Sequence, residues 1–320
     1  MSSEQIAIDE ITTALRCIRK YEFEYEHEIT GSSQQEIERS REELLRETLT
    51  QAFRQMDEES VAELRDNARS IFDELWAEHT ESQYYQSNAQ RIYDRQAVWG
   101  AVETYIDEHG VDHVSRHIAA GITGTFSRDI VPFEITADID LLLEGEDAAI
   151  EIIRFLPTLS GVIWPFDGDQ THPIDDFLGG DEKYLRQKAS VLQAIAGRLT
   201  TVQSFVDDPF ADVAYQYIAV LGDTYPTGPI TEDGAAAGSE INSRDMTGYI
   251  NPNNLGSRVH DPSGAQLSNG QFALFKIAET ILQGEYGLAQ QNFEQIYEYT
   301  CQYCKYKQMC PDFINEEVSF

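Results

Sequence analysis

The sequence predicts an α/β fold with a large helical share, and three stretches carry that prediction. Residues 4 to 105 hold long runs with apolar residues near a 3.6 period and almost no Gly or Pro. Residues 133 to 155 hold two short β-rich runs around a turn. A strand-like run, DVAYQYIAVLG, follows the next helical one. Helices, a strand hairpin, a helix and strand, then helices again is not the order of an all-α bundle.

Taken in order, IAIDEITTALRCIRKYEFEYEHEI, QQEIERSREELLRETLTQAFRQM and ESVAELRDNARSIFDELWAEH are the N-terminal helices. His113 and His117, in DHVSRHIAAG, read as residues on a helix surface. The texture changes at TGTFSRD. FEITADIDLLL and AAIEIIRFL then form a hairpin around EGED, a turn by composition. The Gly/Pro/Asp-rich PFDGDQTHPIDDFLGGD is a loop, EKYLRQKASVLQAIAGRL a helix and DVAYQYIAVLG a strand. Residues 222 to 268 are rich in Gly, Pro, Asn and Ser and read as a long excursion. GQFALFKIAETILQ and GLAQQNFEQIYEYT are helices that deliver the chain to Cys301. No repeat of fixed period stands out.

At 320 residues the chain is long enough for one large domain. Nothing approaches 18 consecutive apolar residues, so no membrane span is expected. The N-terminus has no basic start followed by an apolar run, so no signal peptide is expected. A cytoplasmic location follows, where thiols stay reduced and a cysteine cluster is a metal site rather than a disulfide framework. Against 56 acidic residues stand 23 basic ones, a formal net charge of −33. The acids are spread along the chain rather than gathered in a tail, and few of the bases are lysine. That is the surface of a salt-loving protein, kept soluble by carboxylates. A basic footprint is therefore not required of a nucleic-acid protein here.

Three of the four cysteines, Cys301, Cys304 and Cys310, fall in TCQYCKYKQMC; the fourth, Cys17, lies almost the whole chain away. Cys-x2-Cys at a helix end can place two sulfurs on one ion. A zinc ribbon wants a second such pair, and the bacterial ferredoxin run wants x2 gaps throughout where this chain has x5. The spacing alone leaves zinc and iron–sulfur open. Three ligands are one short of a set, which directs attention to Cys17.

Cys17 opens Cys17-Ile18-Arg19-Lys20-Tyr21. An N-terminal Cys followed by a basic and aromatic helix, with a C-terminal Cys-x2-Cys-x5-Cys, resembles the iron–sulfur RecB-like nucleases. That group includes the CRISPR-associated RecB-type exonucleases and the AddB nuclease domain. Ile18 stands where the family element often has Pro. The resemblance implies a haloarchaeal-type member with a PD-(D/E)XK, restriction-endonuclease-like core and large helical additions. It implies a 4Fe–4S cluster on Cys17, Cys301, Cys304 and Cys310 that joins the chain ends. The whole of 1–320 is then one nuclease-fold domain: a helical region about 1–125, a core about 126–221, the excursion about 222–268, and helices with the cysteine cluster 269–320. The implied partner is DNA, single-stranded or at duplex ends, alongside a helicase or another DNA-repair or CRISPR-type protein.

The family is defined by carboxylates on two paired strands that hold Mg²⁺ or Mn²⁺, which activates water against a phosphodiester. In the resemblance, ITADIDLLL makes Asp140 a metal ligand with Asp138 as its understudy, and AAIEIIRF makes Glu151 the other ligand. Alternation would put Asp138 and Asp140 on one strand face, with Ile139 and Leu141 on the other. The family lysine belongs two residues after the second acid, and Ile153 stands there. Arg154 is next, directed by alternation to the opposite face. Three explanations are open: a bulge that swings Arg154 inward, migration of the lysine role to Lys183 or Lys188, or a crippled site. Arginine stabilises phosphate charge but is no proton shuttle. Gln187 matches the family's Gln-x-x-x-Tyr, with Val191 in the Tyr place. Glu43 and Glu47 are candidates for the family's upstream His.

The resulting reading is a metal-dependent deoxyribonuclease acting on single-stranded DNA. Its rivals are a catalytically degenerate DNA-binding or assembly subunit and a zinc-clasped interaction protein.

Overall fold

The computed structural model describes residues 4–319 apart from 30–32, 57–59, 80–84, 129–130, 147, 167–170, 207, 209–210, 222–240, 251–257, 261–265, 287–290 and 292. Most of the sequence-predicted excursion therefore lies outside the described residues. In chain order the elements are β1 (Glu4–Ala7), α1 (Ile8–Arg16), α2 (Ile18–Tyr21), α3 (Ser33–Arg54), α4 (Val61–His79), α5 (Asn88–Ser115), β2 (His117–Ser127), β3 (Phe133–Glu144), β4 (Ile150–Leu156), α6 (Pro173–Leu178) and α7 (Leu185–Phe205). They continue with β5 (Val213–Ala219), β6 (Asn242–Asp245), α8 (Thr247–Ile250), β7 (Arg258–His260), β8 (Gln266–Ser268), α9 (Asn269–Leu282), α10 (Phe293–Tyr299) and α11 (Pro311–Ser319).

The fold is mixed α/β, as the sequence predicts. The predicted hairpin is present, with Leu141 to Glu144 of β3 paired antiparallel to Ile153 to Ile150 of β4. β5 runs parallel to β4, and β6 antiparallel to β5. Two strands depart from the sequence reading. Glu4–Ala7, read as helix, pairs parallel with Phe133 to Thr136 of β3. His117–Ser127, partly read as helix, pairs antiparallel along β3. In both places a long-range partner overrides a local pattern that is not decisive for strand.

The sheet lies between two apolar layers. Ile135, Ile152 and Tyr217 face α1, α7 and α9, while Leu143, Ile153 and Phe155 face α3, α4 and α5. Along β4 and β5 the two layers alternate as a pleat requires. Along β3 they do not. Ile139 packs in the first layer, Leu141 in the second and Leu142 in the first again, so the strand turns over at Asp140. Asp138 and Asp140 nonetheless reach one group, Arg46 Nη2, which lies 4.0 Å from the first carboxylate and 3.0 Å from the second. The partner strand shows the cause of the turn: Gly121, opposite Asp140 in the register, has φ +56, a left-handed value that suits glycine. The Arg54 guanidinium occupies the space a Cβ there would need and donates to the Gly121 carbonyl.

One edge of β3 is shared by two strands. β1 ends against Thr136 and β4 ends its pairing at Leu141, which leaves a notch along residues 137 to 140. The carboxyl ends of β1 and β4, which run in opposite directions, face each other there.

His113, expected on a helix surface, is buried in α5, and its Nδ1 lies 2.7 Å from the Tyr105 hydroxyl. His113 falls on the face of α5 that also buries Tyr105, Ile106 and Gly110. Burial first, and then His109 beside it, lower its pKa to about 3. Between pH 6.5 and about 3 the unfolded chain carries a proton there that the folded chain lacks, so stability falls as pH falls through that window. Urea unfolding should show wild type losing about 2 kcal/mol more than His113→Gln between pH 7 and pH 5, at about 1.4 kcal/mol per pH unit. Parallel curves for the two proteins would overturn this.

Candidate functional site

Two constellations from the sequence can be located, the hairpin acids and the cysteines. Asp140 is 2% exposed and lies in the notch. Its Oδ1 accepts from Arg46 Nε at 3.1 Å, Arg46 Nη2 at 3.0 Å and Arg154 Nη1 at 3.1 Å. Its Oδ2 accepts from the Phe155 amide at 2.8 Å. That amide follows the last β3–β4 pair, so the carboxylate takes the place of a backbone acceptor where the strands part.

Arg154 is 3% exposed and is held through its two Nη atoms, while its buried Nε has no hydrogen-bond partner among the described residues. Besides Asp140 it donates to the Asp138 carbonyl at 3.3 Å and faces Asp9 of α1 at 3.6 Å. Burial by itself would lower its pKa, but Asp140 and Asp9 raise it above the ordinary value. The guanidinium thus fills the open edge of β3 and binds the two helical layers together. β4 keeps a regular register up to Ile153, so no bulge brings Arg154 in. Arg154 points away from Ile153, as alternation says, and meets Asp140 because β3 turns over there. Asp138 is largely exposed and accepts from the Thr123 hydroxyl at 2.8 Å.

Glu151 is elsewhere. It pairs with Leu143 in the register, three positions along β4 from Arg154, or about 10 Å at a strand's rise. Its carboxylate accepts from Arg116 Nη1 at 2.7 Å, and Arg116 also bonds Asp112 and the Glu144 carbonyl. Asp140 and Glu151 are therefore not brought to one point. Ile153 is buried among the apolar residues of α3 to α5. Lys188 bonds Asp181, with Nζ 3.0 Å from the carboxylate, and Lys183 faces the Tyr299 ring, so neither lysine stands at the hairpin. Gln187 lies in the first turn of α7, its amide bonded to the Tyr184 carbonyl.

Sequence reading missed the residues that complete this site. Arg46 and Glu42, four apart, share the face of α3 that meets Asp140, one position out of phase with Glu43 and Glu47. Burial raises the Glu42 pKa, against the pull of Arg46 and Arg154. The i, i+4 acid–arginine pair in a buried helix was the available signal.

The cysteines are brought together. Cys17 breaks the first helix from the second in extended conformation, φ −171 and ψ 117, which turns its side chain out of both helices. Cys301 opens a 3₁₀ turn whose amide at Cys304 donates to the Cys301 carbonyl at 3.0 Å, and Cys310 follows a turn closed on Tyr306. All four thiols line one small pocket, walled by Phe23 and Phe313 and rimmed by Lys20 and Lys307. None is in a disulfide. Burial pushes the Cys17 thiol up to about 11. Burial and then the other three sulfurs push Cys301 up to about 12. Burial likewise raises Cys304. Mutually destabilised thiolates are what a bound cation relieves. Among the described residues, no group of three or more His, Cys, Asp or Glu side chains is placed so that it could hold a metal ion. The four cysteines share one pocket and offer only soft sulfur donors.

No protein-family model matches the chain. No curated protein matches it either. Among solved structures, the crystal structure of SSO0001 aligns with 97% of this chain and 87% of its own, at 10% identity and a TM-score of 0.34, a likeness too slight to carry an argument. Among the described residues, no helix is long and apolar enough to cross a membrane.

Proposed function

We propose that this chain is a catalytically degenerate protein of nuclease-like ancestry, with a four-cysteine metal centre, that works as a DNA-binding or assembly subunit. One observation carries the reading. Both oxygens of Asp140 accept hydrogen bonds from the protein, two arginines among the donors, while Glu151 is engaged by Arg116 about 10 Å away along the strand. A two-carboxylate site for Mg²⁺ or Mn²⁺ needs both acids free and at close range. With isoleucine at 153 the family lysine is also missing. Arg46 and Arg154 occupy the positive role a metal would play, and the notch becomes a structural lock.

Cys17, Cys301, Cys304 and Cys310 would hold the metal centre; their four sulfurs suit zinc or iron–sulfur alike, and the 4Fe–4S cluster is the group the resemblance implies. When bound, it supplies a covalent link between the chain's first helices and its last. Holding two segments so far apart in sequence is worth about 5–6 kcal/mol in the loop-entropy picture of cross-links. A reducing, cytoplasmic setting suits both the free thiols and a DNA-associated partner such as a helicase.

The test is cleavage. Purified protein in molar KCl should leave single-stranded DNA, duplex ends and RNA intact with Mg²⁺ or Mn²⁺. Ile153→Lys should leave them intact as well, since it does not free Asp140. Mn²⁺-dependent cutting by wild type that is lost in Asp140→Ala would overturn the reading and restore the active nuclease.

A further inference from the structure

Negative charge is spread over the chain, and the lysines, though not most of the arginines, are gathered. Of six lysines, five (Lys20, Lys183, Lys188, Lys305 and Lys307) lie where the first helices, the start of α7 and the cysteine segment meet. Arg16 and Arg186 join them, each opposing the other's charge, and Arg16 faces Lys20 as well, although Glu24 attracts Arg16 more strongly than Arg186 repels it and Asp9 adds to that attraction. Some of this charge is answered locally. Lys188 bonds Asp181, Lys305 and Lys20 face Glu24 at 2.7 and 3.6 Å, and Arg19 bonds Glu22 and Asp312. Arg16, Lys183, Arg186 and Lys307 form no ion pair with a described carboxylate. Like charges crowded together cost stability, so in a chain of net charge −33 their gathering calls for an anionic ligand.

Exposed rings stand among these cations. Tyr184 is 58% exposed, with φ +53, a left-handed value uncommon for a residue with a Cβ. It lies 5.3 Å from the Tyr299 ring, which faces the Lys183 ammonium at 5.9 Å. Tyr25, 41% exposed, stacks on Tyr21 at 5.1 Å and neighbours Arg16. Cations tracking a phosphate backbone with rings open to bases are the pattern that single-stranded nucleic acid requires, since a duplex hides its base faces.

We infer that this surface beside the cysteine pocket, and not the hairpin notch, is where the protein binds single-stranded nucleic acid, with phosphates on Arg16, Arg186 and Lys307 and bases on Tyr184 and Tyr25. The inference rests on the DNA-binding reading above and locates the contact.

The experiment is fluorescence anisotropy of labelled oligo-dT and oligo-U with intact protein in EDTA, across KCl concentrations up to molar. Wild type should bind. Arg186→Glu should weaken binding about tenfold and lower the salt slope by about one. Tyr184→Ala should weaken it about tenfold and persist as a defect in high salt, where stacking survives screening. Both side chains are exposed, so circular dichroism should match wild type, and Arg65→Glu, on the α4 layer, should bind as wild type does. If wild type binds and Arg186→Glu and Tyr184→Ala bind equally well, the inference falls and the DNA-binding reading stands. If folded wild type binds neither oligonucleotide at any salt concentration, both fall. Displacement of oligo-dT by polyglutamate at equal charge would assign the surface to an acidic polypeptide and overturn the inference.

Discussion

Asp140→Ala is expected to lower the stability of the folded protein by about 3–5 kcal/mol, the cost of leaving a buried charge without its partner. Arg154, almost fully buried, would keep Asp9 at 3.6 Å as its nearest carboxylate, and Arg46 would lose its closest anion. The Phe155 amide would also lose its acceptor, which adds to the loss. A metal-binding acid behaves in the opposite way, because removing it from a crowd of carboxylates relieves repulsion and raises stability. Urea unfolding in molar KCl reads the difference. Asp140→Asn, which keeps the shape and can still accept one bond, should fall between wild type and Asp140→Ala. Asp140→Leu combined with Arg154→Met should recover most of the loss, since an apolar pair of similar volume dispenses with the desolvation of both charges. A cost for Asp140→Ala below about 1 kcal/mol, the range of exposed pairs, would refute the buried lock.

The second large effect belongs to the cysteines. Protein purified without oxygen should be brown and hold about four irons per chain, and Cys17→Ala and Cys301→Ala should each lose that iron. Both variants should unfold at distinctly lower denaturant concentration, because α1 and α2 would be fastened to the C-terminal segment only by contacts such as Arg19 to Asp312 and Tyr306 to the Ile29 carbonyl. With total stability of the order of 5–15 kcal/mol, loss of a link worth about 5–6 kcal/mol is a large fraction. Stoichiometric zinc in place of iron would select the zinc-clasped reading. Iron content unchanged in Cys17→Ala would remove Cys17 from the centre. Metal loading should release protons, since the buried thiols of Cys17 and Cys301 hold theirs at neutral pH.

Much of this protein is determined by the sequence alone. The 3.6 periodicity of the N-terminal half marks α1, α3 and α4, since a helix buries one face whatever it packs against. The β-rich runs around EGED mark the hairpin, because turns depend on neighbours in the chain. The charge balance marks the surface. What the tertiary structure decided is everything that joins distant residues. It set Glu4–Ala7 as a strand, because β3 offers those four residues an edge that outweighs weak local preference. It turned β3 over at Asp140, through a glycine nineteen positions earlier on a different strand. It drew Arg46 from one layer and Asp9 from the other onto the two ends of the Asp140–Arg154 pair, and separated Glu151 from the acid with which the hairpin pattern associates it. It also carried Cys17 to the three cysteines at the other end of the chain. The physical reason is the same in each case: periodicity and spacing report which face a residue is on, whereas the partner it meets there depends on how layers pack across the sheet, which no local pattern encodes.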